Sequence, residues 1–338
     1  MKTTDFDSLK TDNLKELLDL MTAYQRSRVL FTLVDLEIPK LLSKKKLTVK
    51  EIAEKLSIHP LAMDRFLNAA VLVELLVKTK NRYSNSELSE NFLVKGKEFY
   101  LGGQIERQQK RSYSVWQELT NNLKSWDYGS DKRRTPKSDD QGSEAMAEQH
   151  KLALLQGFAL AKAFDFSKYN RILDLGGGTG ATSIALCQTY PNLKSIVFDL
   201  PENAKIAQKF IAEENLTEQI QIVAGDFKKD KLPDDFNAVI LANFMAVADA
   251  RENQELLQNL YQKLPKGSFC LLSGWMIDDS HLSPQISVLS CLEDICWDAP
   301  DVERSEKVYR KWLEKAGFKN IECSTYLEPT KMLYGFKK

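Results

Sequence analysis

The first third of the chain carries apolar residues at the spacing of helices. From Leu14 to Leu42 they recur every three or four positions, which predicts two helices with a wide apolar face. Thr48 and Glu51 have the spacing of a capping box and predict the start of a third helix. So wide an apolar face needs a partner surface to cover it.

A second helical pattern follows in the same region. Residues 57–60 predict a turn, residues 61–76 an amphipathic helix, and residues 77–83 a short hairpin. Helix, turn, helix and hairpin in this order are typical of a winged helix.

A winged helix also suggests DNA binding, and residues 44–80 hold more basic than acidic side chains. The second helix, however, offers only Asp64, Arg65 and Asn68 to base edges, whereas helices that read DNA present several polar side chains. We therefore predict that this module pairs with another copy of itself. A DNA-binding regulator is the less favoured alternative, and nucleic acid is not the predicted partner.

The pattern changes twice further along the chain. Residues 92–166 are predicted to be helical, apart from the polar, turn-rich segment 127–143, which predicts a mobile loop that is either a plain surface loop or a lid over a pocket. After residue 166, β-branched runs alternate with helices, which predicts a mostly parallel sheet covered on both faces. The five strands are expected at 171–175, 195–200, 220–224, 238–241 and 269–272.

Two further strands, at 321–327 and 333–337, are joined by so short a connection that they must form an antiparallel hairpin, expected at the edge of the sheet. The predicted fold is therefore α/β, with a Rossmann-like sheet behind an all-α winged-helix module. The predicted domains are the pairing module at 1–98, a helical linker at 99–166 and the sheet domain at 167–338.

Composition and charge exclude several classes of protein. The 338 residues are about two domains' worth of chain, and 47 Lys plus Arg against 47 Asp plus Glu disfavour a surface built for nucleic acid. No apolar run approaches the roughly 18 residues of a membrane span, and the start lacks the apolar core of a signal peptide, so a cytoplasmic protein is predicted. Five scattered cysteines and three distant histidines lack ligand spacing, so no metal site is predicted.

The first strand of the predicted sheet runs into a glycine-rich turn. Residues 174–180 read Asp-Leu-Gly-Gly-Gly-Thr-Gly, and a helix is predicted directly after them. Glycines at such a turn let the backbone bend sharply and let a ligand approach main-chain atoms. The Gly-x-Gly-x-Gly spacing matches the dinucleotide fingerprint only loosely, so the turn alone is a moderate signal.

Acidic residues follow at the next two strand ends. Asp199, before Leu200, stands where a carboxylate can accept hydrogen bonds from both ribose hydroxyls. Asp226 and Phe227 come after the third strand, where a polar group and a ring suit an adenine. Asp199 is alternatively a cap for the next helix. Because three consecutive strand ends agree, a nucleoside-containing ligand is predicted at this edge.

With these motifs, and with residues 303–307 and 316–318, the chain resembles the S-adenosylmethionine-dependent methyltransferases, and within them the two-domain O-methyltransferase family of plant phenolic, acetylserotonin and bacterial natural-product enzymes. The resemblance covers nearly the whole chain. It implies a class I methyltransferase fold, a homodimer with interlocked N-terminal helices, a linker that lines the pocket of a small-molecule acceptor, and S-adenosylmethionine as cofactor. The residues that it implies at the cofactor are Asp174, Gly176, Gly178, Asp199, Leu200, Asp226, Phe227 and Asn243.

The departures from the family pattern concern catalysis. Members that methylate a hydroxyl usually carry a general-base histidine after the fourth strand, and the resemblance puts Ala246 in its place. Ala242 replaces a lysine or arginine near the cofactor, and residues 273–275, Ser-Gly-Trp, stand where an acid often steadies the histidine. Glu303 keeps its expected position, as either a structural or a substrate-binding carboxylate.

Other groups are candidates for the missing base. His150 is the preferred one because it lies on the helix that lines the family's pocket, and Asp294, Cys291 and Tyr113 are further candidates. A lone histidine on a helix is also explained as a partly buried polar residue. Cys291 is equally explained as a small buried hydrophobe.

A missing base lowers the rate by a factor of about 10²–10⁴. Holding an acceptor in line with an activated methyl carbon can still supply about 7–11 kcal/mol. The sequence therefore predicts methyl transfer to a small, aromatic or conjugated metabolite by proximity and desolvation, on oxygen as the family implies, with carbon and nitrogen left open. The alternative is an S-adenosylmethionine-binding enzyme that catalyses a rearrangement, decarboxylation or hydroxylation on the same scaffold.

Overall fold

The structure, a computed structural model, describes residues 12–126, 139–297 and 304–338. The chain divides into two units, Met1–Gln109 and Lys110–Lys338. Each unit has buried apolar clusters of its own.

The first unit is a bundle of helices with a small three-stranded sheet. Its elements are α1 (Asp12–Asp35), α2 (Ile38–Leu42), β1 (Leu47–Thr48), α3 (Val49–Leu56), α4 (Pro60–Leu72), β2 (Leu76–Thr79), β3 (Arg82–Asn85), α5 (Glu87–Phe92) and α6 (Gly102–Arg107). The strands pair antiparallel in the order β1-β3-β2. The predicted winged helix is confirmed.

Local sequence explains where the helices of this unit begin. The hydroxyl of Thr48 accepts a hydrogen bond from the backbone N–H of Glu51 at 3.3 Å, and the Glu51 carboxylate accepts one from the backbone N–H of Thr48 at 2.6 Å. This is the predicted capping box, and it satisfies two donors that the helix itself leaves free. Pro60 begins α4, where its missing N–H costs no helical hydrogen bond.

The first half of α1 is uncovered. All residues in 13–28 are exposed, and they include the apolar side chains of Leu17 (53% exposed) and Met21 (62% exposed). An isolated helical stretch of this length is marginal in water without tertiary contacts. The predicted wide apolar face is thus present, and the large apolar side chains on the first half of α1 are at least half exposed in the described structure.

The second unit is an α/β domain. A π-helical segment, Gln108–Ser112, leads into it, and its elements are α7 (Tyr113–Val115), α8 (Leu119–Ser125), α9 (Asp139–Ala163), β4 (Arg171–Leu175), α10 (Ala181–Thr189), β5 (Lys194–Asp199), α11 (Pro201–Glu213), β6 (Ile220–Ala224), β7 (Ala238–Ala242), α12 (Ala250–Lys263), β8 (Phe269–Gly274), α13 (Gln285–Cys296), α14 (Glu306–Ala316), β9 (Lys319–Leu327) and β10 (Thr330–Phe336). The five predicted parallel strands are confirmed to within two residues.

The seven strands form one sheet in the order β6-β5-β4-β7-β8-β10-β9. The first five strands in this order, β6, β5, β4, β7 and β8, are parallel to one another. Strand β10 is antiparallel to both β8 and β9. The predicted fold class and edge hairpin are confirmed. Because β9 and β8 are both antiparallel to β10, they run in the same direction. The carboxyl end of β9 therefore lies at the same edge of the sheet as the carboxyl ends of the five parallel strands.

Several predicted boundaries are wrong, and the strand predicted at 333–337 begins earlier, at Thr330. The predicted mobile loop 127–143 ends too late, because α9 begins at Asp139; the rest of that loop, 127–138, lies outside the described residues. Acidic residues such as Asp139 and Asp140 favour the first turn of a helix, which the polar composition of the segment obscured. The helix predicted at 61–76 ends at Leu72, since Leu76 already pairs in β2.

Within the described residues, none of the helices is both long enough and apolar enough to cross a bilayer.

Candidate active site

A cavity of about 700 Å³ lies at the carboxyl edge of the large sheet. This volume is in the range of about 300–1,000 Å³ that small-molecule sites occupy. Among the described residues that line it, only Asp199, Asp226 and Lys228 are charged, and all three follow β5 and β6. The cavity therefore has a charged end at β5 and β6 and an uncharged end towards β7 and β8.

The glycine turn between β4 and α10 forms the middle of the cavity wall. Gly176, Gly178 and Gly180 all have positive φ, at 69°, 56° and 75°. A Cβ added to Gly176 would lie 2.1 Å from a ring carbon of Phe244. No side chain fits there, so the turn presents bare main chain to the cavity, as predicted for a close ligand contact.

Asp174 lies beneath this turn. Its side chain is buried, its Oδ2 accepts a hydrogen bond from the Ser183 hydroxyl at 2.6 Å, and burial raises its pKa to about 6. A Cβ on Gly177 would approach the Asp174 carboxyl carbon to 2.9 Å. Asp174 is not among the described residues that line the cavity. Its predicted place at the cofactor is therefore corrected to a supporting place below the loop, because the strand turns its side chain into the core.

Asp199 lies at the end of β5 and lines the cavity. Its Oδ1 accepts hydrogen bonds from the Leu200 N–H and the Asn203 amide, both at 2.7 Å, and its Oδ2 accepts one from the Gly178 N–H at 2.7 Å. A carboxylate offers about four acceptor positions. These three bonds leave one, on Oδ2. Asp199 can therefore accept a hydrogen bond from one ribose hydroxyl directly. It can accept one from a second hydroxyl only if the bond from Asn203 or from a backbone N–H is broken.

The next strand end supplies a carboxylate and a ring. Asp226 Oδ1 accepts a hydrogen bond from the Lys228 backbone N–H at 3.0 Å, which lowers the pKa of the carboxyl. The Phe227 ring meets Phe244 edge to face, with ring centres 5.1 Å apart. Since Phe244 also fills the space beside Gly176, one aromatic pair connects the glycine turn to the predicted adenine end.

The remaining predicted cofactor residues also line the cavity. Leu200 and Gly178 lie beside Asp199. Asn243 follows β7 with φ at 53°, and its backbone N–H donates to the Ser273 carbonyl at 2.7 Å. Its side-chain amide donates to Gln156 at 3.4 Å. Asn243 is thus fixed at the boundary between the charged and uncharged ends.

His150 does not face the cavity. It is 2% exposed, its Nδ1 lies 2.8 Å from the Thr179 hydroxyl, and its ring stacks on Phe210 at 3.7 Å. Burial, followed by the charge of Lys151, lowers its pKa to about 4. The hypothesis that His150 replaces the missing base is therefore wrong: the helix turns it towards α11, where it supports the glycine turn through Thr179.

The other candidate bases are also separate from the described cavity wall. Asp294 pairs with Arg304, and burial raises its pKa to about 6. Burial likewise raises the pKa of Cys291. Asp294, Cys291 and Tyr113 are not among the described residues that line the cavity. Glu303 lies outside the described residues.

The position predicted for the family's base, Ala246, is partly exposed and follows β7. Val247, the next residue, lines the cavity. No ionisable side chain is present at either position, so this part of the wall supplies no proton acceptor.

Several polar side chains of the cavity were missed from the sequence, among them Gln156, Asn203 and Tyr326. Gln156 belongs to a series on α9 at helical spacing that a face analysis of residues 146–160 would have found. Asn203 could have been found as the residue one turn after Asp199. Tyr326 has no local signal, because only the sheet order brings the end of β9 to this edge.

The mostly parallel sheet, its glycine turn, the acids at the next strand ends and the antiparallel edge hairpin define a class I methyltransferase fold. A family model described as an O-methyltransferase domain matches residues 109–319, and one described as an O-methyltransferase dimerisation domain matches residues 18–95. The chain therefore belongs to the S-adenosylmethionine-dependent O-methyltransferase family.

Known proteins are similar over nearly the whole chain. The N,N-dimethyltransferase OxyT of Streptomyces rimosus is 31% identical over 314 residues, which cover 90% of each chain. The tetracenomycin polyketide synthesis 8-O-methyl transferase TcmO of Streptomyces glaucescens is 28% identical over 331 residues, covering 95% of this chain and 96% of that one. The crystal structure of human N-acetylserotonin methyltransferase in complex with S-adenosylmethionine has a TM-score of 0.83 at 23% identity, covering 96% and 97%. This likeness confirms the fold.

The buried His150 predicts a pH dependence of stability. Its pKa is lowered from 6.5 to about 4 in the folded protein, so between these values the unfolded chain binds a proton that the folded one does not. This contribution makes the folded state less stable as pH falls from about 6.5 to about 4. We expect His150→Gln to remove that part of the slope, measured as the unfolding free energy in urea at several pH values.

The matched control is Gln208→Ala, which replaces an exposed, uncharged side chain on α11 and should leave the slope of the wild-type protein. If the His150→Gln and wild-type curves run parallel across this pH range, the assigned burial of a neutral imidazole is wrong.

Proposed function

We propose that this protein transfers the methyl group of S-adenosylmethionine to an oxygen of a small, conjugated metabolite, and that no side chain acts as general base. The observation that carries the proposal is the division of one cavity into a charged end at β5 and β6 and an uncharged polar end at β7 and β8. A nucleoside-containing donor suits the first end and an uncharged acceptor the second.

The charged end fits the donor residue by residue. The bare main chain of Gly176 and Gly178 leaves room for a close ligand, and Asp199 has one acceptor position for a ribose hydroxyl. Asp226 and Phe227 offer a carboxylate and a ring to an adenine. Leu200 and Asn243 complete the set that we assign to cofactor binding. When bound, the cofactor supplies a methyl group on a positively charged sulfur.

The uncharged end determines what the chain can do to the acceptor. Since Ala246 and Val247 cannot accept a proton, the acceptor hydroxyl must lose its proton to solvent, which favours an acidic hydroxyl. Placing its oxygen in line with the methyl carbon contributes about 7–11 kcal/mol, more than the roughly 3–5 kcal/mol lost with a base. Positioning and exclusion of water are therefore the catalytic contributions of this chain.

Oxygen is the acceptor atom that we favour over nitrogen. One relative is named for N,N-dimethyl transfer and another for 8-O-methyl transfer. A protonated amine has no free electron pair, so it would need a carboxylate nearby to take its proton before its nitrogen could attack the methyl carbon. Among the described lining residues, the only carboxylates are at the opposite, charged end of the cavity, so an amine finds no such partner beside Asn243.

We also propose a homodimer formed through the N-terminal module at 1–98. The match of residues 18–95 to a dimerisation domain supports it. So does the exposure of the first half of α1, whose apolar side chains have no cover in the described chain. Burying these side chains between two copies would stabilise a helix that is otherwise marginal. The cofactor sheet at 167–338 and the linker at 99–166 then form the catalytic part.

The cofactor assignment predicts the behaviour of an Asp199→Asn variant. It keeps the shape of the side chain and removes its charge, so the ribose hydroxyl loses a charge-assisted hydrogen bond worth about 1.5–3 kcal/mol. We expect S-adenosylhomocysteine to bind at least about tenfold more weakly, measured by calorimetry. Asp279→Asn, at an exposed loop position, should bind as the wild type does. Equal affinity of all three proteins would contradict the assignment.

The reaction itself is tested with a methyl-labelled donor and hydroxylated aromatic acceptors. We expect the label in an aryl methyl ether, with a rate that follows ionisation of the acceptor hydroxyl, because the described residues at the uncharged end of the cavity offer no base. Mass spectrometry of the product identifies the modified atom. An unlabelled product that has lost carbon dioxide or gained oxygen would instead favour the non-methylating alternative.

The dimer is tested with the double variant Leu17→Glu and Met21→Glu, which puts two charges on one face of α1. We expect light scattering to give the mass of a single chain, whereas the wild type gives that of two. Lys15→Glu changes the net charge by the same amount on the same helix and should leave the dimer intact. A double variant that remains dimeric would place the interface elsewhere.

A further inference from the structure

A pair of hydroxyl groups lies at the uncharged end of the cavity. The Tyr326 hydroxyl and the Ser273 hydroxyl are 2.7 Å apart, and both residues line the cavity. Ser273 is near the end of β8 and Tyr326 near the end of β9, with β10 between them in the sheet. The tyrosine side chain must therefore reach across a strand to make this contact.

An irregularity in the hairpin places the tyrosine there. Thr330 pairs with Leu327 and Lys331 pairs with Thr325, so the register shifts by one residue and Tyr326 has no partner on β10. A bulge of this kind changes the direction of a side chain at the end of a strand, and bulges are frequent beside active sites. One of the two irregularities in the pairing of β9 with β10 thus lies at Tyr326, the residue that contacts Ser273.

The hydrogen count of the pair leaves one donor. Each hydroxyl has one hydrogen, and the bond between them uses one of the two. Ser273 is fixed from the other side, because its carbonyl accepts the backbone N–H of Asn243 at 2.7 Å. Burial raises the pKa of Tyr326 to about 12, so the phenol is neutral at physiological pH. The pair can therefore donate one hydrogen bond to a ligand and carries no charge.

The neighbouring amides of Asn243 and Gln156 are partly engaged, and each keeps one N–H hydrogen beyond the bond that it donates. Gln156 accepts from Asn243 at 3.4 Å and donates to the Thr330 hydroxyl at 3.1 Å. This fixes the orientation of its amide. The pair of Tyr326 and Ser273 therefore supplies a hydroxyl group, among the described residues at this end of the cavity, that can donate a hydrogen bond to a ligand oxygen next to Asn243.

We propose that Tyr326, oriented by Ser273, donates a hydrogen bond to an acceptor carbonyl that is conjugated with the reacting hydroxyl, and that it thereby selects hydroxy-ketone acceptors. This inference rests on the proposed function. A hydrogen bond to the carbonyl stabilises the negative charge that ionisation spreads onto it, so the conjugated hydroxyl ionises more readily. The selection compensates for the missing base without a charged side chain at this end of the cavity.

The reaction step balances without another reagent. The acceptor hydroxyl releases its proton to solvent, and its oxygen forms a bond to the methyl carbon. The carbon–sulfur bond breaks with its electron pair left on sulfur, which gives the methyl ether and S-adenosylhomocysteine. Tyr326 keeps its proton throughout and acts on the carbonyl.

Two matched probes test this inference on the full-length protein. 2-Hydroxyanthraquinone and 2-hydroxyanthracene share a three-ring frame, and only the first has ring carbonyls. With S-adenosylhomocysteine bound, we expect the wild type to bind the quinone more tightly than the anthracene. Tyr326→Phe should weaken quinone binding by about two- to tenfold, the range of one neutral hydrogen bond, and leave anthracene binding unchanged.

A pH profile adds a readout that a merely structural role would not change. With the labelled donor, the apparent pKa of the bound quinone hydroxyl, which the pH profile of kcat reports, should rise in Tyr326→Phe towards its value in water. Ser273→Ala should show the same change to a smaller degree. Tyr334→Phe is the control, since its hydroxyl bonds to Glu322 on the same hairpin and lies outside the cavity.

The outcomes separate this inference from the proposed function. Normal cofactor binding and methyl transfer, together with an unchanged probe preference in Tyr326→Phe, overturn the role of Tyr326 alone. A wild type that prefers the anthracene also overturns it. Absence of cofactor binding and of labelled product in the wild type overturns the proposed function itself.

Discussion

The turn after β4 must pass between two groups that leave no space for a side chain. Phe244 occupies the position where a Cβ on Gly176 would lie, and Asp174 occupies the position below Gly177. This steric constraint places bare main chain at the centre of the cavity. It also joins the neighbouring strands: Phe244 carries the contact to Phe227 after β6, and the Gly178 N–H holds the Asp199 carboxylate after β5. Asp199 and Phe227, two of the residues that we assign to the cofactor, are thus connected through this turn.

The two ends of the cavity are built by different means. The charged end is organised by backbone N–H groups of tight turns, which fix the carboxylates of Asp199 and Asp226. The uncharged end is organised by the strand order, which brings Ser273 and Tyr326 to one edge although 53 residues separate them. Asn243 lies between the ends and bonds to both β8 and α9. A ligand at one end therefore contacts the elements that shape the other.

Local pattern was enough to predict the strands, the glycine turn and the acids at the strand ends, because each depends on residues close together in sequence. It failed where a side chain's direction decides the role. Asp174 and His150 are near the cavity in sequence, yet the pleat of β4 and the rotation of α9 turn both away from it. Tyr326 was missed for the opposite reason. It reaches the cavity through the position of β10 between β8 and β9 and a one-residue register shift, and neither is encoded in a local spacing.

Burial shifts the pKa values of His150 and Tyr326 in opposite directions, and both shifts favour the neutral side chain. Burial lowers the pKa of His150 to about 4 and raises that of Tyr326 to about 12. Both are therefore uncharged at physiological pH, and neither changes its proton content as the acceptor reacts. A side chain that takes the proton would have to hold a new charge at the uncharged end of the cavity, where the described lining residues provide no charge to balance it. Leaving the proton to solvent avoids that cost. The rate of methyl transfer then depends on the acidity of the acceptor hydroxyl and on how precisely the cavity positions the acceptor.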